Sequence, residues 1–305
     1  MDALHIQHIC KGFDKQTILD DLNLTVPEHS VFGFIGKNGA GKTTLMKLIL
    51  GFLKADSGTI TVCGERAGYG YTRTNRLIGY LPDVPHFYGY MSAAEYLTLC
   101  SKISHLKPME MKKRSSELLT LVGLENVKKS IRGFSRGTKQ RLGIATALLN
   151  RPKLLICDEA TSALDPQGRK EILDLLALAG QQATVLFSTH ILTDVERICD
   201  QLGLLNDGKI VLQGGTDKIK QQYGSESLQI SMYNPEDATR IAKKLENLPF
   251  IHGISISAAT CTVKVTDARR NSARVVSALA GEKLALKSYQ QLESTLESIY
   301  LEMVK

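Results

Sequence analysis

The chain has 305 residues and an ordinary globular composition, 43% hydrophobic and 23% charged, which suits one large domain or a large and a small one. No run approaches the about 20 apolar residues that cross a bilayer, and the six scattered cysteines form no Cys-x-x-Cys pair, which excludes a membrane span and a cysteine metal site. The formal charge of +7 does not distinguish nucleic acid, an anionic membrane face and a phosphate ligand, and we interpret it as solubility.

The first two thirds of the chain alternate short apolar runs with helical patterns. Val31–Ile35 reads as a strand before a glycine-rich turn and a helix that begins near Lys42. Residues 154–157 and 184–188 form two more apolar runs between helical segments. Short runs of this kind are typical of buried parallel strands, so the pattern predicts an α/β fold around a parallel sheet.

Polar residues 218–227 interrupt this pattern and predict a linker between two domains, residues 1–217 and 228–305. The second domain reads as strand, helix, two strands, helix, strand and a final helix from Gln291. This order is typical of a small ferredoxin-like α+β module. We therefore expect an accessory domain after the α/β domain.

The glycine-rich turn matches the P-loop pattern G-x-x-x-x-G-K-T between a strand and a helix. Its glycines let backbone N–H groups close on phosphate oxygens, and the helix N-terminus adds a favourable dipole. In this pattern Lys42 reaches the β- and γ-phosphates and the Thr43 hydroxyl ligates Mg²⁺. The predicted ATP-binding residues are Gly36, Lys37, Asn38, Gly39, Ala40, Gly41, Lys42, Thr43 and Thr44.

Two carboxylates, Asp158 and Glu159, follow the apolar run at residues 154–157, at the edge where an α/β sheet presents its ligand site. Asp158 suits Mg²⁺ coordination, and Glu159 suits polarising the attacking water. Alone, such a pair is equally a strand end with helix-capping acids. Together with the P-loop, it predicts nucleotide hydrolysis.

Three further segments carry a family resemblance. Residues 134–141 (Phe-Ser-Arg-Gly-Thr-Lys-Gln-Arg) resemble the signature motif of the ABC ATPases, residues 162–165 (Ser-Ala-Leu-Asp) resemble their D-loop, and residues 188–190 (Ser-Thr-His) resemble the strand end with the switch histidine. The order of all these motifs is that of the ABC transporter ATPases over roughly residues 2–217. The resemblance implies a P-loop NTPase fold with an antiparallel β subdomain and a helical subdomain at about residues 84–150.

The resemblance also implies that two copies pair head to tail with ATP between them. The residues that then meet the γ-phosphate on the other copy, or lie at the same interface, are Ser135, Arg136, Gly137 and Asp165. It further implies that Phe13 stacks on adenine and that His190 senses the γ-phosphate. The alternative is that Phe13 and His190 are packed core residues.

The chain departs from the family pattern at two positions. Arg136 replaces the first glycine of the signature, and Asp83 replaces the glutamine of the Q-loop. The carboxylate of Asp83 either holds Mg²⁺ through a bound water or stabilises the turn at residues 82–85.

The continuation of the signature as Lys-Gln-Arg-Leu-Gly-Ile-Ala, the acidic residue 83 and the C-terminal module resemble the ATPases of ABC-2-type exporters, the bacitracin and daunorubicin resistance group. That resemblance implies a separately encoded membrane permease and a place at the cytoplasmic face of a bacterial membrane. Residues 84–105 then form an aromatic surface that receives the permease, or else an internal packing cluster. The C-terminal module regulates the ATPase, stabilises its dimer or only supports it by packing.

Two other functions compete with this one. Soluble ABC-type ATPases that act on ribosomes or nucleic acid usually carry two cassettes or long coiled-coil insertions, and this sequence has neither, so we expect no nucleic-acid partner. A regulatory module that binds nucleotide without hydrolysis is the second reading, but both Glu159 and His190 are present.

Overall fold

The computed structural model describes residues 1–14, 16–104, 107–223, 226–282, 284–292 and 294–303, and the chain divides into two compact units, Met1–Thr216 and Asp217–Lys305. The elements of the first unit are β1 (Asp2–Phe13), β2 (Gln16–Pro27), β3 (Val31–Ile35), α1 (Lys42–Ile49), β4 (Ser57–Val62), β5 (Glu65–Ala67), β6 (Ile78–Leu81), α2 (Ala93–Ile103), α3 (Pro108–Leu121), α4 (Arg136–Ala147), β7 (Leu154–Asp158), α5 (Pro166–Gly180), β8 (Thr184–Thr189), α6 (Leu192–Ile198), β9 (Gln201–Asn206) and β10 (Lys209–Gly215).

A six-stranded sheet in the order β10-β9-β3-β8-β7-β6 forms the centre of the first unit. Strands β3, β8, β7 and β6 run parallel, and every residue of β3, β7 and β8 is buried. The register pairs Ile35 with Thr189 and Asp158 with Ser188. The segments that follow these strands therefore meet at one edge of the sheet, where ligands of α/β folds bind.

An antiparallel sheet, β2-β1-β4-β5, covers the other side of α1. One buried cluster joins Leu4 and Leu22 of this sheet to Met46 of α1 and Phe34 of β3. Helix α1 is thus held between the two sheets, which fixes the loop that precedes it. The predicted P-loop NTPase class with an antiparallel β subdomain is confirmed.

Helices α2, α3 and α4 lie between β6 and β7 in the chain. Helix α2 begins with a capping box in which Ser92 and Glu95 satisfy each other's backbone N–H groups. Helix α4 packs so closely against β6 that a Cβ at Gly143 would clash with Leu81. This helical region lies within the predicted residues 84–150, and residue 105 of the predicted aromatic surface falls outside the described residues.

The second unit is a ferredoxin-like α+β fold. Its elements are α7 (Thr216–Tyr223), β11 (Ser227–Met232), α8 (Pro235–Leu245), β12 (Ile251–Ser257), β13 (Thr260–Val265), α9 (Ala268–Ala280), β14 (Leu286–Leu292) and α10 (Leu296–Met303). The antiparallel sheet has the order β12-β13-β11-β14, and α8 and α9 share its core through Ile230, Ile241, Val263 and Val275. The predicted order of strands and helices is therefore present.

Two details of this region differ from the prediction. Helix α7 occupies most of residues 218–227, where we expected a linker, because Ile219 gives the polar run a buried anchor; residues 224 and 225 lie outside the described part. The last helix begins at Leu296 rather than Gln291, since Gln291 pairs with Leu228 in the sheet. Across the described residues, no helix is both long enough and apolar enough to cross a bilayer.

Candidate functional site

The loop between β3 and α1 has a shape that depends on glycine. Gly39 and Gly41 have positive φ angles of 83° and 109°, and a Cβ at Gly41 would lie 2.8 Å from Leu19. Among the described residues, no side chain caps α1, and its first turn contains no acid. The backbone N–H groups at the start of α1 are therefore left for an anionic ligand.

Lys42 is folded back into this loop. Its ammonium donates hydrogen bonds to the carbonyls of Gly36 at 2.6 Å and Lys37 at 3.2 Å, and it lies 3.1 Å from Glu159 Oε1. The side chain is only 6% exposed. A buried ammonium held by two carbonyls and a carboxylate is positioned to meet phosphate oxygens at the mouth of the loop.

Asp158 at the end of β7 is held from both sides. Thr43 Oγ1 donates to Asp158 Oδ2 at 2.9 Å, and Ser188 Oγ of the neighbouring strand donates to Asp158 Oδ1 at 2.7 Å. Because β7 and β8 pair in parallel register at these residues, Ser188 lies directly beside the carboxylate. The Ser188 hydroxyl, whose role no sequence motif indicated, orients the predicted metal carboxylate.

Glu159 lies at a sharp turn immediately after β7, with φ at +49°. Its backbone N–H donates to the carbonyl of Ser188 at 3.1 Å, which holds the turn. Its Oε2 lies 2.8 Å from His190 Nδ1, and its buried Oε1 lies 3.1 Å from the Lys42 ammonium. The carboxylate of Glu159 is therefore held between His190 and Lys42, at the edge of the sheet where the predicted attacking water would lie.

These groups fit ATP with Mg²⁺. The hydroxyl of Thr43 and the carboxylate of Asp158 are the hard oxygen ligands that Mg²⁺ prefers, and this ion is usually held by one or two protein groups together with substrate phosphates. No cluster of three or more acidic, His or Cys side chains able to hold a metal occurs among the described residues. The carboxylate of Glu159 lies at the same edge, where it could accept a hydrogen bond from a water molecule.

The predicted signature residues lie outside this cluster. Ser135 caps α4, with its Oγ 2.8 Å from Thr138 Oγ1, and a Cβ on Gly137 would lie 3.9 Å from Leu164 of the D-loop. Asp165 is exposed at the start of α5. In the described part of the chain, no hydrogen bond or ion pair joins these residues to the P-loop or to the two acids. The signature and the D-loop thus form a second surface, and their contact with nucleotide stays a prediction.

Two residues offered as possible core residues are exposed. The side chain of His190 is 42% exposed, and Phe13 is 44% exposed at the end of β1, with the Lys11 ammonium 5.2 Å from the centre of its ring. The interpretation of either residue as a packed core residue is therefore wrong. Stacking of Phe13 on adenine stays a prediction.

The two departures from the family pattern contact each other. Asp83 Oδ1 lies 2.9 Å from Arg136 Nη2, a partner that neither the metal nor the turn interpretation of Asp83 anticipated. Nearby, burial raises the pKa of Tyr80 to about 12, with a further contribution from the charge of Asp158, so its phenol stays protonated.

A buried network beside the site was missed in the sequence. Asp194 of α6 is 1% exposed and accepts hydrogen bonds from Thr161 Oγ1 at 2.7 Å and Arg169 Nε at 2.6 Å. It ties the segment after Glu159 to the helix after His190. Thr161 and Arg169 lie 33 and 25 residues before Asp194 in the chain, so no local spacing pattern could reveal these contacts.

The aromatic residues of the 84–105 region divide between packing and exposure. Phe87 packs edge-on against Tyr96, with ring centres 5.0 Å apart, whereas Tyr88 and Tyr90 are 55% and 73% exposed. Phe52, just after α1, is 62% exposed and contacts Tyr80 edge-on. Part of this region is therefore a packing cluster, and the reception of a permease by its exposed part stays a prediction.

Comparison with known proteins gives matches to both units. A family model described as "ABC transporter" matches residues 19–162, and one described as "ATP-binding protein DrrA1-3-like, C-terminal domain" matches residues 214–304. The chain is 35% identical to the uncharacterized ABC transporter ATP-binding protein YxlF of Bacillus subtilis (strain 168), over 99% of both chains.

Relatives with more specific names are also similar. The linearmycin resistance ATP-binding protein LnrL of Bacillus subtilis (strain 168) is 32% identical over 98% of this chain and 97% of its own. The bacitracin transport ATP-binding protein BcrA of Bacillus licheniformis is 39% identical over 70% of each. A solved structure titled "Structure of ATP binding subunit of ABC transporter" superposes with a TM-score of 0.63 at 30% identity, over 72% of this chain and 93% of that one.

Proposed function

The chain belongs to the ABC transporter ATP-binding family, binding ATP with Mg²⁺ and hydrolysing it, and from this membership we propose that it powers a separately encoded ABC-2-type permease through a head-to-tail dimer. One observation carries the proposal. Five side chains converge at one edge of the central sheet, where hydrogen bonds and an ion pair link them. They are those of Lys42, Thr43, Asp158, Glu159 and His190.

Each of these residues has a distinct task in the proposed mechanism. Lys42 and the free N–H groups of the loop hold the phosphates, and Thr43 and Asp158 hold Mg²⁺, which when bound neutralises charge on the phosphate oxygens. Glu159 orients the attacking water and accepts its proton through a carboxylate oxygen. His190 fixes the direction of that carboxylate and, being exposed, would be accessible to the γ-phosphate of bound ATP.

A second copy completes the site in this proposal. The surface formed by Ser135, Gly137 and Asp165 makes no described hydrogen bond or ion pair with the P-loop of its own chain, yet it presents a helix N-terminus without an acid in its first turn. Such a surface favours an anion. Head-to-tail pairing brings it to the γ-phosphate held by the other copy.

The permease would dock on the exposed aromatic side chains. Phe52, Tyr88 and Tyr90 are more than half exposed. Tyr80, which is partly buried and contacts Phe52 edge-on, links this surface to the sheet edge that carries Asp158. Exposed aromatics of this kind mark protein interfaces. The subunit would then lie peripherally on the cytoplasmic face of the membrane.

Export is proposed from the relatives. Two of them are named for bacitracin transport and linearmycin resistance, and the match of the C-terminal region to a DrrA-like domain extends along most of the second unit. A drug, a peptide antibiotic or a similar compound is therefore the proposed cargo. The second unit would regulate the ATPase or stabilise its dimer, and its alternative role is support of the ATPase unit by packing.

Co-expression with the membrane protein encoded beside this chain tests the proposal. The two proteins should co-purify in detergent, and the permease should change the rate of ATP hydrolysis. Tyr90→Ala should weaken co-purification while the isolated subunit keeps its hydrolysis rate, and Tyr233→Ala, an equally exposed tyrosine of the second unit, is the matched control. Salt-sensitive binding to RNA or DNA without permease binding would favour the nucleic-acid alternative.

A further inference from the structure

The ion pair between Asp83 and Arg136 joins two segments of different expected function. Asp83 lies two residues beyond the end of β6, in the segment that leads to the aromatic surface, and Arg136 is the first residue of α4. Their side chains are 44% and 41% exposed. An ion pair this exposed contributes little to the free energy of unfolding, so stabilising the fold is not its main role.

The backbone of Asp83 is held without the ion pair. Gln140, fully buried in α4, donates a hydrogen bond to the Asp83 carbonyl, and Gly143 packs directly against Leu81. Removing the carboxylate therefore leaves the segment attached to α4. What the carboxylate does fix is the direction of the Arg136 guanidinium.

Arg136 is in an unfavourable place for a cation. It lies in the first turn of α4, where the helix dipole repels positive charge, and that turn contains no acid to offset it. Asp83 supplies the missing negative charge from another segment. An anion that arrives at this helix N-terminus would compete with Asp83 for the guanidinium, which binds phosphate oxygens as well as carboxylates.

We propose that Asp83 and Arg136 form an exchangeable ion pair. In the separate subunit Asp83 holds Arg136, and in the ATP-bound dimer Arg136 turns to the γ-phosphate on the other copy, leaving Asp83 free. This inference rests on the proposed head-to-tail dimer. Asp83 is then a positioning residue that acts through Arg136 and not through Mg²⁺, and it connects the permease-facing segment to the closure of the dimer.

A double-mutant cycle tests the exchange. In a Glu159→Gln background, which slows hydrolysis, the ATP concentration that gives half-maximal dimer is measured by sedimentation for the parent, Asp83→Asn, Arg136→Gln and the double variant. Asp83→Asn should lower that concentration by up to about fivefold, because Arg136 no longer has to leave a partner. Arg136→Gln should raise it by about tenfold, the loss of a charge-assisted hydrogen bond. In the Arg136→Gln background, Asp83→Asn should have no effect.

The control is an exposed ion pair of the same helical region, Arg151 with Glu110, whose nitrogen and oxygen lie 3.2 Å apart. Glu110→Gln should leave the half-maximal ATP concentration unchanged, and melting temperatures check that every variant is folded. Equal effects of Asp83→Asn in both Arg136 backgrounds, or a higher Mg²⁺ requirement in both, would overturn the exchange alone. A parent that stays monomeric with Mg²⁺ and ATP would overturn the proposed dimer as well.

Discussion

At the carboxyl ends of its central strands the first unit buries an ammonium, a carboxylate and a hydroxyl, from Lys42, Asp158 and Ser188, whereas the buried polar side chains described in the second unit, Ser227 and Asn271, are neutral. The side-chain amide of Asn271 donates a hydrogen bond to the carbonyl of Thr266, just before the start of α9, the helix that contains Asn271. Burying a charge is costly unless it is paired. In the first unit these buried charges are paired or hydrogen-bonded and lie at the predicted ligand site, whereas the interior of the second unit consists mainly of apolar side chains that pack together.

The same contrast appears in the two sheets. The central strands of the first unit are buried along their whole length, and their loops meet at one edge. The sheet of the second unit covers its core with alternate residues such as Ile230, while the residues between them, Gln229 and Ser231, are only partly buried. A reactive site therefore belongs to the first unit, and the following variants test that division.

The largest effect is expected at Glu159. Glu159→Gln should lower the ATP turnover number by two or more orders of magnitude, because the amide cannot take the proton of the attacking water. The variant should still bind ATP and should form a stable dimer with Mg²⁺ and ATP in size-exclusion chromatography. A monomeric variant that hydrolyses ATP rapidly would remove Glu159 from its assigned role.

Two matched variants complete that measurement. Lys42→Ala should lose affinity for the nucleotide itself, since the buried ammonium no longer meets the phosphates. Glu171→Gln, which changes an exposed carboxylate of α5, should retain normal turnover.

A smaller effect is expected at Asp194. Asp194→Asn keeps the size of the side chain but removes the charge that pairs with Arg169, so the free energy of unfolding should fall by about 1.5–3 kcal/mol. Chemical denaturation of this variant and of the control variant Asp174→Asn measures the change in the free energy of unfolding. Asp174→Asn, in an exposed pair with Arg197, should cost about 1 kcal/mol or less. Equal losses in the two variants would mean that the buried network has no special importance.

The smallest effect is expected from removing the second unit. A chain that ends at Tyr223 keeps all of α7, which begins at Thr216, the last residue of the first unit, whose hydroxyl donates to the carbonyl of Cys199. Its affinity for ATP should change by less than about twofold, because separate compact units bind independently. Calorimetric titration with ATP provides the measurement. An insoluble product, or one that does not bind ATP, would show that the two units depend on each other.

Local sequence patterns predicted what lies close together in the chain. The P-loop is eight consecutive residues between a strand and a helix, so its conformation could be read directly. The parallel strands were also predictable, since their runs are apolar throughout. The start of the last helix was not, because Gln291 continues a strand and pairs with Leu228 of β11, which lies far earlier in the chain.

The contacts that escaped prediction join distant segments. Asp83 and Arg136 are 53 residues apart, and Thr161 and Asp194 are 33 residues apart. Nothing in either segment indicates its partner, because the pairing depends on how the helical region packs against the sheet. The sequence identified Asp83 and Arg136 separately as unusual residues, and only the fold brings them together.

Helix α4 packs in close contact with strand β6. Gly143 has no room for even a methyl group beside Leu81, and Gln140 is anchored to the next segment of the same chain. Helix α4 and the segment around Asp83 should therefore move together as one rigid body. A displacement of the exposed aromatic segment should then also displace Ser135, which caps the start of α4.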